Sequence, residues 1–245
     1  MGSPDARCLV SIVIPVKDEG PNIEGLAGEI NTAMAPQEYP WEVLWVDDGS
    51  SDQTLALLIE LEKKDRRHRY ISFSANSGQS AALIAGFHEC RGNLIATLDG
   101  DGQNDPRDLP RLISLLRGGE ADMVNGYRAR RRDGIRRKVA SAIGNGLRTM
   151  MTGKSVRDVG CSIRVFKREC VSNLPLFKGL HRFLPTIVSW RGFRLTEVPV
   201  NHRPRMRGTT KYGIRNRMWV GLYDLFGVMW LRKRALHYQI RDKSE

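Results

Sequence analysis

Residues 94–103 read LIATLDGDGQ. The run Leu94–Leu98 is apolar or β-branched throughout, the pattern of a strand buried on both faces. It stops at a turn with two carboxylates around one glycine, Asp99-Gly100-Asp101. The same layout recurs upstream. Leu9–Pro15 (LVSIVIP) is a strand-like run ending in Pro15-Val16-Lys17-Asp18-Glu19. Trp41–Val46 (WEVLWV) ends in Asp47-Asp48-Gly49-Ser50, and Tyr70–Phe73 is followed by Asn76-Ser77-Gly78-Gln79. Between these runs the period changes to that of helices. Asn22–Met34 has Ile23, Leu26 and Ile30 on one face, and Asp52–Lys64 has Leu55, Leu58 and Leu61. Gln79–Glu89 is a helix of small residues, Pro106–Leu116 a helix with proline near its start, and Met123–Asn125 a fifth strand. Strands alternating with helices imply a doubly wound, mostly parallel sheet. Its strands deliver their carboxyl ends to one crevice, so the four polar clusters are expected to converge there.

The bulk numbers fit a folded α/β chain. It has 245 residues, 41% hydrophobic and 27% charged, with a formal net charge of +12 and a pI near 9.9. That balance calls for an anionic partner: nucleic acid, an anionic membrane surface or a phosphorylated small molecule. Cys8, Cys90, Cys161 and Cys170 have no zinc or redox spacing and read as reduced thiols. Met1–Arg7 lacks a signal-peptide layout, and Cys8–Val16 is far shorter than the ~20 residues of a spanning helix. The expected place is the cytoplasm, peripheral at the inner face of a membrane.

After Tyr127 the character changes. Arg128–Lys138 carries seven basic residues and Arg203–Arg217 six. A helix is expected over Ile135–Met151, strands over Ser162–Phe166 and Arg194–Val198, and a helix over Arg182–Trp190. The basic stretches are sparse in aromatics apart from Tyr212, which argues against a nucleic-acid stacking platform. Met218–Leu231 (MWVGLYDLFGVMWL) has one charge, Asp224, and is flanked by Arg215, Arg217, Arg232, Lys233 and Arg234. It is too short to span a bilayer. Its tryptophans and basic ends suit an amphipathic interfacial helix, or one docked on a separate membrane protein subunit; packing against the core is the alternative. The organisation expected is a single catalytic domain over 1–213, in halves 1–127 and 128–213, followed by a membrane-surface or docking segment over 214–245.

Asp99 and Asp101 have a clear physical use. Two carboxylates on one tight turn offer oxygen ligands to Mg²⁺ or Mn²⁺, with phosphate and water completing the shell. Such a cation stabilises a diphosphate as it leaves. An Asp-x-Asp triplet in isolation is usually a solvated turn; its place after a buried strand, among three other polar strand ends, changes the reading. Asp47-Asp48-Gly49-Ser50 supports two readings equally: a turn leading to a helix capped by Ser51 or Asp52, or a carboxylate facing a nucleobase or ribose.

In the order of its motifs the chain resembles family 2 glycosyltransferases of GT-A fold, within them the group of the dolichol-phosphate mannose synthases and undecaprenyl-phosphate glycosyltransferases. The resemblance rests on VSIVIPVKDE (10–19), VDDGSSDQT (46–54), NSGQSAALIAGF (76–87), IATLDGDGQNDP (95–106), NGYR (125–128), DVGCSIRVFKRE (158–169) and RGTTKYG (207–213). It implies that Pro15, Lys17 and Glu19 frame the base and ribose, with Lys17 where many members have tyrosine. Asp47 and Asp48 match the base-reading pair, and Gly78 belongs to the nucleotide-sugar site. Asp99 and Asp101 match the metal and diphosphate motif, with Gln103 as companion. Arg128 and Arg137 match arginines that meet donor or acceptor phosphates, and Asp158 an acid near the transferred sugar. Arg205 and Lys211 match a basic pair over the phosphates. The family often has glycine where this chain has Ser162, and here a glycine stands at Gly160. The implied function is inverting, metal-dependent transfer of a sugar from a UDP- or GDP-linked donor to a polyprenyl phosphate. A soluble or other lipid acceptor is the alternative, although the Gln-x-x-Arg-Trp motif of polymer-making relatives is absent. A non-catalytic nucleotide-binding scaffold is the more distant one.

Overall fold

The computed structural model describes residues 9–129, 156–204 and 214–234, the last segment with side chains from 223 onward. The helix expected over 135–151 and the candidate residues Arg137, Arg205 and Lys211 lie outside these residues.

Seven strands form one sheet: β1 (Val10–Val16), β2 (Trp41–Asp47), β3 (His68–Ser72), β4 (Leu94–Thr97), β5 (Met123–Arg128), β6 (Arg164–Lys167) and β7 (Leu195–Val200). Their spatial order is β3-β2-β1-β4-β6-β5-β7. Pairing is parallel throughout except at β6, which runs antiparallel to both β4 and β5. Every residue of β2 and β4 is buried, as expected of strands covered on both faces by crossover helices.

On one face lie α1 (Gly20–Met34), α2 (Thr54–Lys64) and α4 (Leu109–Arg117). They bury Ile23, Leu26, Ile30, Leu58, Leu112 and Leu116 against alternate residues of β1 and β2 such as Ile12, Ile14, Val43 and Trp45. On the other face α3 (Gln79–Glu89) and α5 (Leu180–Trp190) bury Ala82, Leu83, Phe87, Leu184 and Val188 against Val13, Leu44, Val46 and Phe166. The helix expected from residue 106 begins as a short 3-10 turn, Pro106–Asp108. The Asp105 carboxylate accepts from the Arg107 N–H (3.1 Å) ahead of Pro106, and the α-helix proper starts at Leu109. At the amino-terminal edge the buried Glu42 is satisfied by the Ser11 hydroxyl (2.6 Å), the Arg91 N–H (2.7 Å) and Arg69 (2.9 Å). That network spans β1, β2, β3 and the start of β4 on the side of the sheet away from the acidic turn.

A last helix, α6 (Ile214–Arg234), contains the apolar segment read from the sequence. Leu225 and Val228, three positions apart, are buried against Leu180, Phe183 and Ile187 of α5. Each such side chain stabilises the contact by roughly 1.5–3 kcal/mol. Tyr223, Phe226 and Trp230 point the other way, 79%, 64% and 63% exposed. The segment therefore has both a core-packing stripe and an open aromatic stripe. Its acid is explained locally: Asp224 lies 3.7 Å from Arg182 and against Gly179. A Cβ on Gly179 would stand 2.6 Å from the Asp224 carboxylate, and its φ of +93° is itself one that side chains avoid. No helix among the described residues is long and apolar enough to cross a membrane.

Candidate active site

The order β2-β1-β4 places a topological switch point between β1 and β4, where the connections leave in opposite directions and the strand ends gape. All four polar clusters sit on that edge. The loop after β1 is clamped to the loop after β2. The Asp18 carboxylate accepts from the Ser51 N–H (2.7 Å), the Asp18 N–H donates to the Ser50 hydroxyl (2.8 Å), and Lys17 Nζ donates to the Gly49 carbonyl (2.5 Å). The Glu19 N–H donates to the Thr54 hydroxyl (3.0 Å), and the Glu19 side chain accepts from Asn22 (2.6 Å). Pro15 lies inside β1, in register with Val46.

Asp47 and Asp48 are almost fully buried. Asp47 accepts from the Ser50 N–H (3.0 Å) and the Ser72 hydroxyl (2.7 Å). Asp48 accepts from the Ser77 N–H (2.6 Å) and the Gly78 N–H (2.9 Å), which ties the loop after β2 to the start of α3. Of the two readings left open for this cluster, the turn geometry is present. The cap position of α2 is Gln53, not Ser51 or Asp52, and it makes no side-chain cap bond; Asp52 Oδ1, one residue earlier, accepts from the Thr54 N–H (2.9 Å) at the first residue of α2.

The acidic turn after β4 is held from three sides. The Asp99 N–H donates to Asn104 Oδ1 (3.0 Å), which also accepts from the Ser162 hydroxyl (2.7 Å). The Gln103 N–H donates to Asp101 Oδ1 (3.1 Å), and the Gln103 carbonyl accepts from the Arg203 N–H (2.9 Å). Gly100 permits the turn to press on β1: a Cβ there would fall 2.5 Å from Val16 Cγ1. Ser162, where the family often has glycine, is not at positive φ, so the serine is accommodated and its hydroxyl is put to use.

Electrostatically this turn differs from its neighbours. Burial, and next the charge of Asp101, push the Asp99 carboxyl up to about 6, against hydrogen bonding from Ser162 and the charges of Arg164 and Arg128. Gln79 donates its amide N–H to Asp99 (2.9 Å). Two carboxylates that repel one another on a single turn fit a divalent cation, which would take both as ligands. No group of three or more His, Cys, Asp or Glu side chains suited to a metal occurs among the described residues, so the rest of the shell would come from ligand oxygens and water.

Asp158 and Arg128 meet in a fork: Nε to Oδ2 at 2.6 Å and Nη2 to Oδ1 at 2.8 Å, with the Arg128 N–H also reaching Oδ2 (3.2 Å). The acid and the arginine expected on sugar and phosphate thus hold each other. Glu197 of β7, raised by burial, accepts from the Arg157 N–H (3.0 Å) and fixes the loop on which Asp158 rides.

Three residues that sequence reasoning did not assign complete the site. Arg164, 4% exposed, donates to Asn125 Oδ1 (3.0 Å) and to the Val159 (2.9 Å) and His181 (2.8 Å) carbonyls. Burial pulls its pKa down, and its partners are all neutral oxygens. Gln79 and Ser162 stood inside quoted motifs, but nothing in the sequence showed that they touch Asp99 or its turn. A cleft of about 1410 Å³ joins these parts. It is lined by Gly78, Gln79 and Asp99, by the 159–162 loop and Arg164, and by Phe177 and Asp224. Cys90, Cys161 and Cys170 are free and buried, and burial pushes the Cys161 thiol up to about 11, so it stays protonated.

A sheet with one antiparallel strand beside the switch point, and an acidic turn after β4, is the arrangement on which the comparisons bear. The family model for glycosyl transferase family 2 matches residues 11–174, from β1 to beyond β6. The chain belongs to that family. Dodecaprenyl-phosphate galacturonate synthase of Rhizobium johnstonii is 36% identical over 228 residues, 91% of this chain and 67% of that protein. Undecaprenyl-phosphate 4-deoxy-4-formamido-L-arabinose transferase of Salmonella typhimurium is 37% identical over 217 residues, 88% and 66% respectively. This family 2 chain therefore spans about two thirds of the length of those relatives. Among solved structures, glucosyl-3-phosphoglycerate synthase from Mycobacterium tuberculosis, in complex with Mn²⁺, UDP and glucosyl-3-phosphoglycerate, superposes with a TM-score of 0.70 at 18% identity, covering 96% of this chain and 83% of that one. A mannosyltransferase from Pyrobaculum calidifontis, in complex with GDP-Man and Mn²⁺, gives 0.64 at 19% identity, covering 96% and 66%. At such identities the likeness is one of fold: the GT-A fold.

Proposed function

We propose that this chain transfers a sugar, with inversion, from a UDP- or GDP-linked donor to a polyprenyl phosphate at the cytoplasmic face of a membrane. The observation that carries this reading is the continuity of the cleft. One cavity is lined both by Asp99 of the acidic turn and by Asp224 of α6, the helix whose far side exposes Tyr223, Phe226 and Trp230. A water-soluble diphosphate and a membrane-bound acceptor can meet in such a passage. The names of the two relatives, which pair a polyprenyl phosphate with a sugar, support the acceptor class.

In this reading Pro15, Lys17, Glu19, Asp47, Asp48 and Gly78 shape the nucleoside pocket. Asp99 and Asp101 would hold Mg²⁺ or Mn²⁺, which would neutralise the diphosphate, and Gln103 anchors their turn. Arg128, Arg137, Arg205 and Lys211 serve donor and acceptor phosphates. The nucleophile is a phosphate oxygen, already anionic near neutral pH, so catalysis rests on positioning and charge and needs no strong base. Asp158 then acts by presenting Arg128. The basic end of α6, Arg232, Lys233 and Arg234, suits an anionic headgroup layer, with a membrane protein subunit as the other surface that the aromatic stripe could meet.

The test is an extraction assay. Labelled UDP- and GDP-sugars are incubated with the protein, undecaprenyl phosphate and Mg²⁺ or Mn²⁺, and label is counted in the organic phase. One donor should give a lipid-linked product; nucleotide binding by thermal shift with no lipid product from any donor would sink the acceptor assignment. Exchanging both Phe226 and Trp230 for serine should cut co-sedimentation with anionic vesicles several-fold and leave the melting temperature unchanged.

A further inference from the structure

The cleft contains a hydrogen-bond donor that none of the roles above uses. His181, at the start of α5, lines it together with Gln79, Asp99, Phe177 and Asp224. Its Nδ1 lies 2.8 Å from the hydroxyl of Ser80, which is 6% exposed. The Gly179 N–H donates to that same hydroxyl oxygen (3.0 Å). A buried hydroxyl has a single proton to give. With Gly179 as donor on one side, the recorded acceptor for that proton is His181 Nδ1. The tautomer follows: Nδ1 accepts and Nε2 carries hydrogen. The imidazole is neutral, since burial holds its pKa down to about 3, with Arg182 and Arg164 adding to the effect. From the other side Arg164 grips the His181 carbonyl (2.8 Å), so backbone and ring are both fixed. Nε2 has no hydrogen-bond partner among the described residues and is not one of their buried unpaired atoms, so it opens on the cleft.

We propose that His181 is a substrate-positioning residue, its Nε2–H donating to an oxygen of the bound substrate where the sugar meets the acceptor. This rests on the transferase reading and deepens it. A neutral, orientation-locked N–H suits an oxygen acceptor, whether a hydroxyl or carboxylate of the sugar or an oxygen of the acceptor phosphate. Its partner Ser80 lies one residue along α3 from Gln79, whose amide holds Asp99, so α3 aligns the donor turn and this N–H through adjacent side chains.

Four proteins test it: His181→Phe, His181→Gln, Ser80→Ala and the Ser80→Ala/His181→Phe double variant. For each, kcat and KM are measured with the labelled donor that supports turnover and with undecaprenyl phosphate. His181→Phe should raise the KM of one substrate, or lower kcat, by about 10-fold or more, the size of one lost ligand hydrogen bond. A rise confined to the donor KM assigns the sugar; one confined to the acceptor KM assigns the phosphate. His181→Gln, which keeps an N–H donor, should recover most of the loss. Ser80→Ala should move the same parameter less, and should add nothing in the His181→Phe background. The inference is overturned if His181→Phe stays within about 2-fold of wild type, if glutamine fares no better than phenylalanine, or if the Ser80 and His181 losses add. Nitrogen-15 histidine spectra of the wild type cover the case of a variant that does not fold. They should show the Nε2–H tautomer and a shift of that nitrogen when donor with Mg²⁺, or undecaprenyl phosphate, is added. The Nδ1–H tautomer, or no shift with either ligand, overturns the proposal. Wild-type protein without turnover on any donor would instead count against the transferase reading, and the tautomer is read independently of it.

Discussion

The two sides of the switch point treat charge differently. On the β1–β2–β3 side, carboxylates are spent on their own loops. Asp18, Asp47, Asp48 and Asp52 each accept from backbone N–H groups or hydroxyls of a neighbouring turn. On the β4–β6–β5 side, charge is left out of balance. Asp99 carries the repulsion of Asp101 and Arg164 is buried among neutral oxygens, while Arg128 is balanced by Asp158. The first side is a finished pocket wall. The second holds charges that a cation and phosphates would rebalance, which is where a charged leaving group has to be stabilised.

The sharpest way to break this contrast is at the acidic turn. Asp99→Asn and Asp101→Asn should each lower kcat/KM by on the order of 10³-fold, the scale of losing a main electrostatic contact to the leaving group, with the melting temperature held or raised. Activity within 10-fold of wild type in both would place the diphosphate elsewhere. Next in size, Asp158→Asn should cost about 10–100-fold, read chiefly in kcat, because Arg128 loses the fork that aims it. An equal loss in Asp158→Asn and Arg128→Lys, with no further loss in the double variant, would show that they act as a unit.

On the other side of the switch point the same kind of change should register as stability. Asp48→Ala leaves the Ser77 and Gly78 N–H groups without their acceptor and should destabilise by about 1–3 kcal/mol in urea unfolding. If melting is unchanged and only nucleotide affinity falls, Asp48 is a ligand contact and not a brace. The smallest effect is a pH dependence. Asp99 is raised to about 6 from an ordinary carboxyl near 3.8, so without metal the folded state binds more protons in that window than the unfolded chain. Its contribution to stability is therefore fully present below about pH 4 and lost as pH rises through 6. Melting in EDTA should show this slope in wild type and not in Asp99→Asn. Saturating Mg²⁺ or Mn²⁺, which binds the ionised carboxylate, should reverse its sign.

The comparison also explains what could be read from sequence. β1, β2 and β4 announced themselves because strands buried on both faces are written as unbroken apolar runs. Gln79–Glu89 came out to the residue, since Gly78 at φ +92° marks its start and Cys90 its extended end. β5 and β7 run past their expected ends, to Arg128 and Val200, because ladder pairing carries residues such as Gly126, Arg128 and Pro199 that no apolar pattern marks. The reversal of β6 was not legible, as a four-residue strand has no directional signature and its orientation follows from pairing with β4 and β5. At the site, the clustering of Asp48, Gly78, Asp99 and Asp101 on one edge followed from strand order. The pairing of Asp158 with Arg128, and of His181 with Ser80, joins positions far apart in the chain and exists only in the fold.

The lone acid of α6 gives the structure one more meaning. Asp224 lines the cleft, lodged against Gly179 and near Arg182. In the proposed placement of α6 along a membrane, the same helix would also serve as a wall of the cleft in which the sugar is transferred. Water has to be kept from an activated anomeric carbon if transfer is to outrun hydrolysis. In that placement, attachment to the lipid and sealing of the chamber would become one mechanical event. A copy of the enzyme adrift from its acceptor would then be a poorly closed vessel.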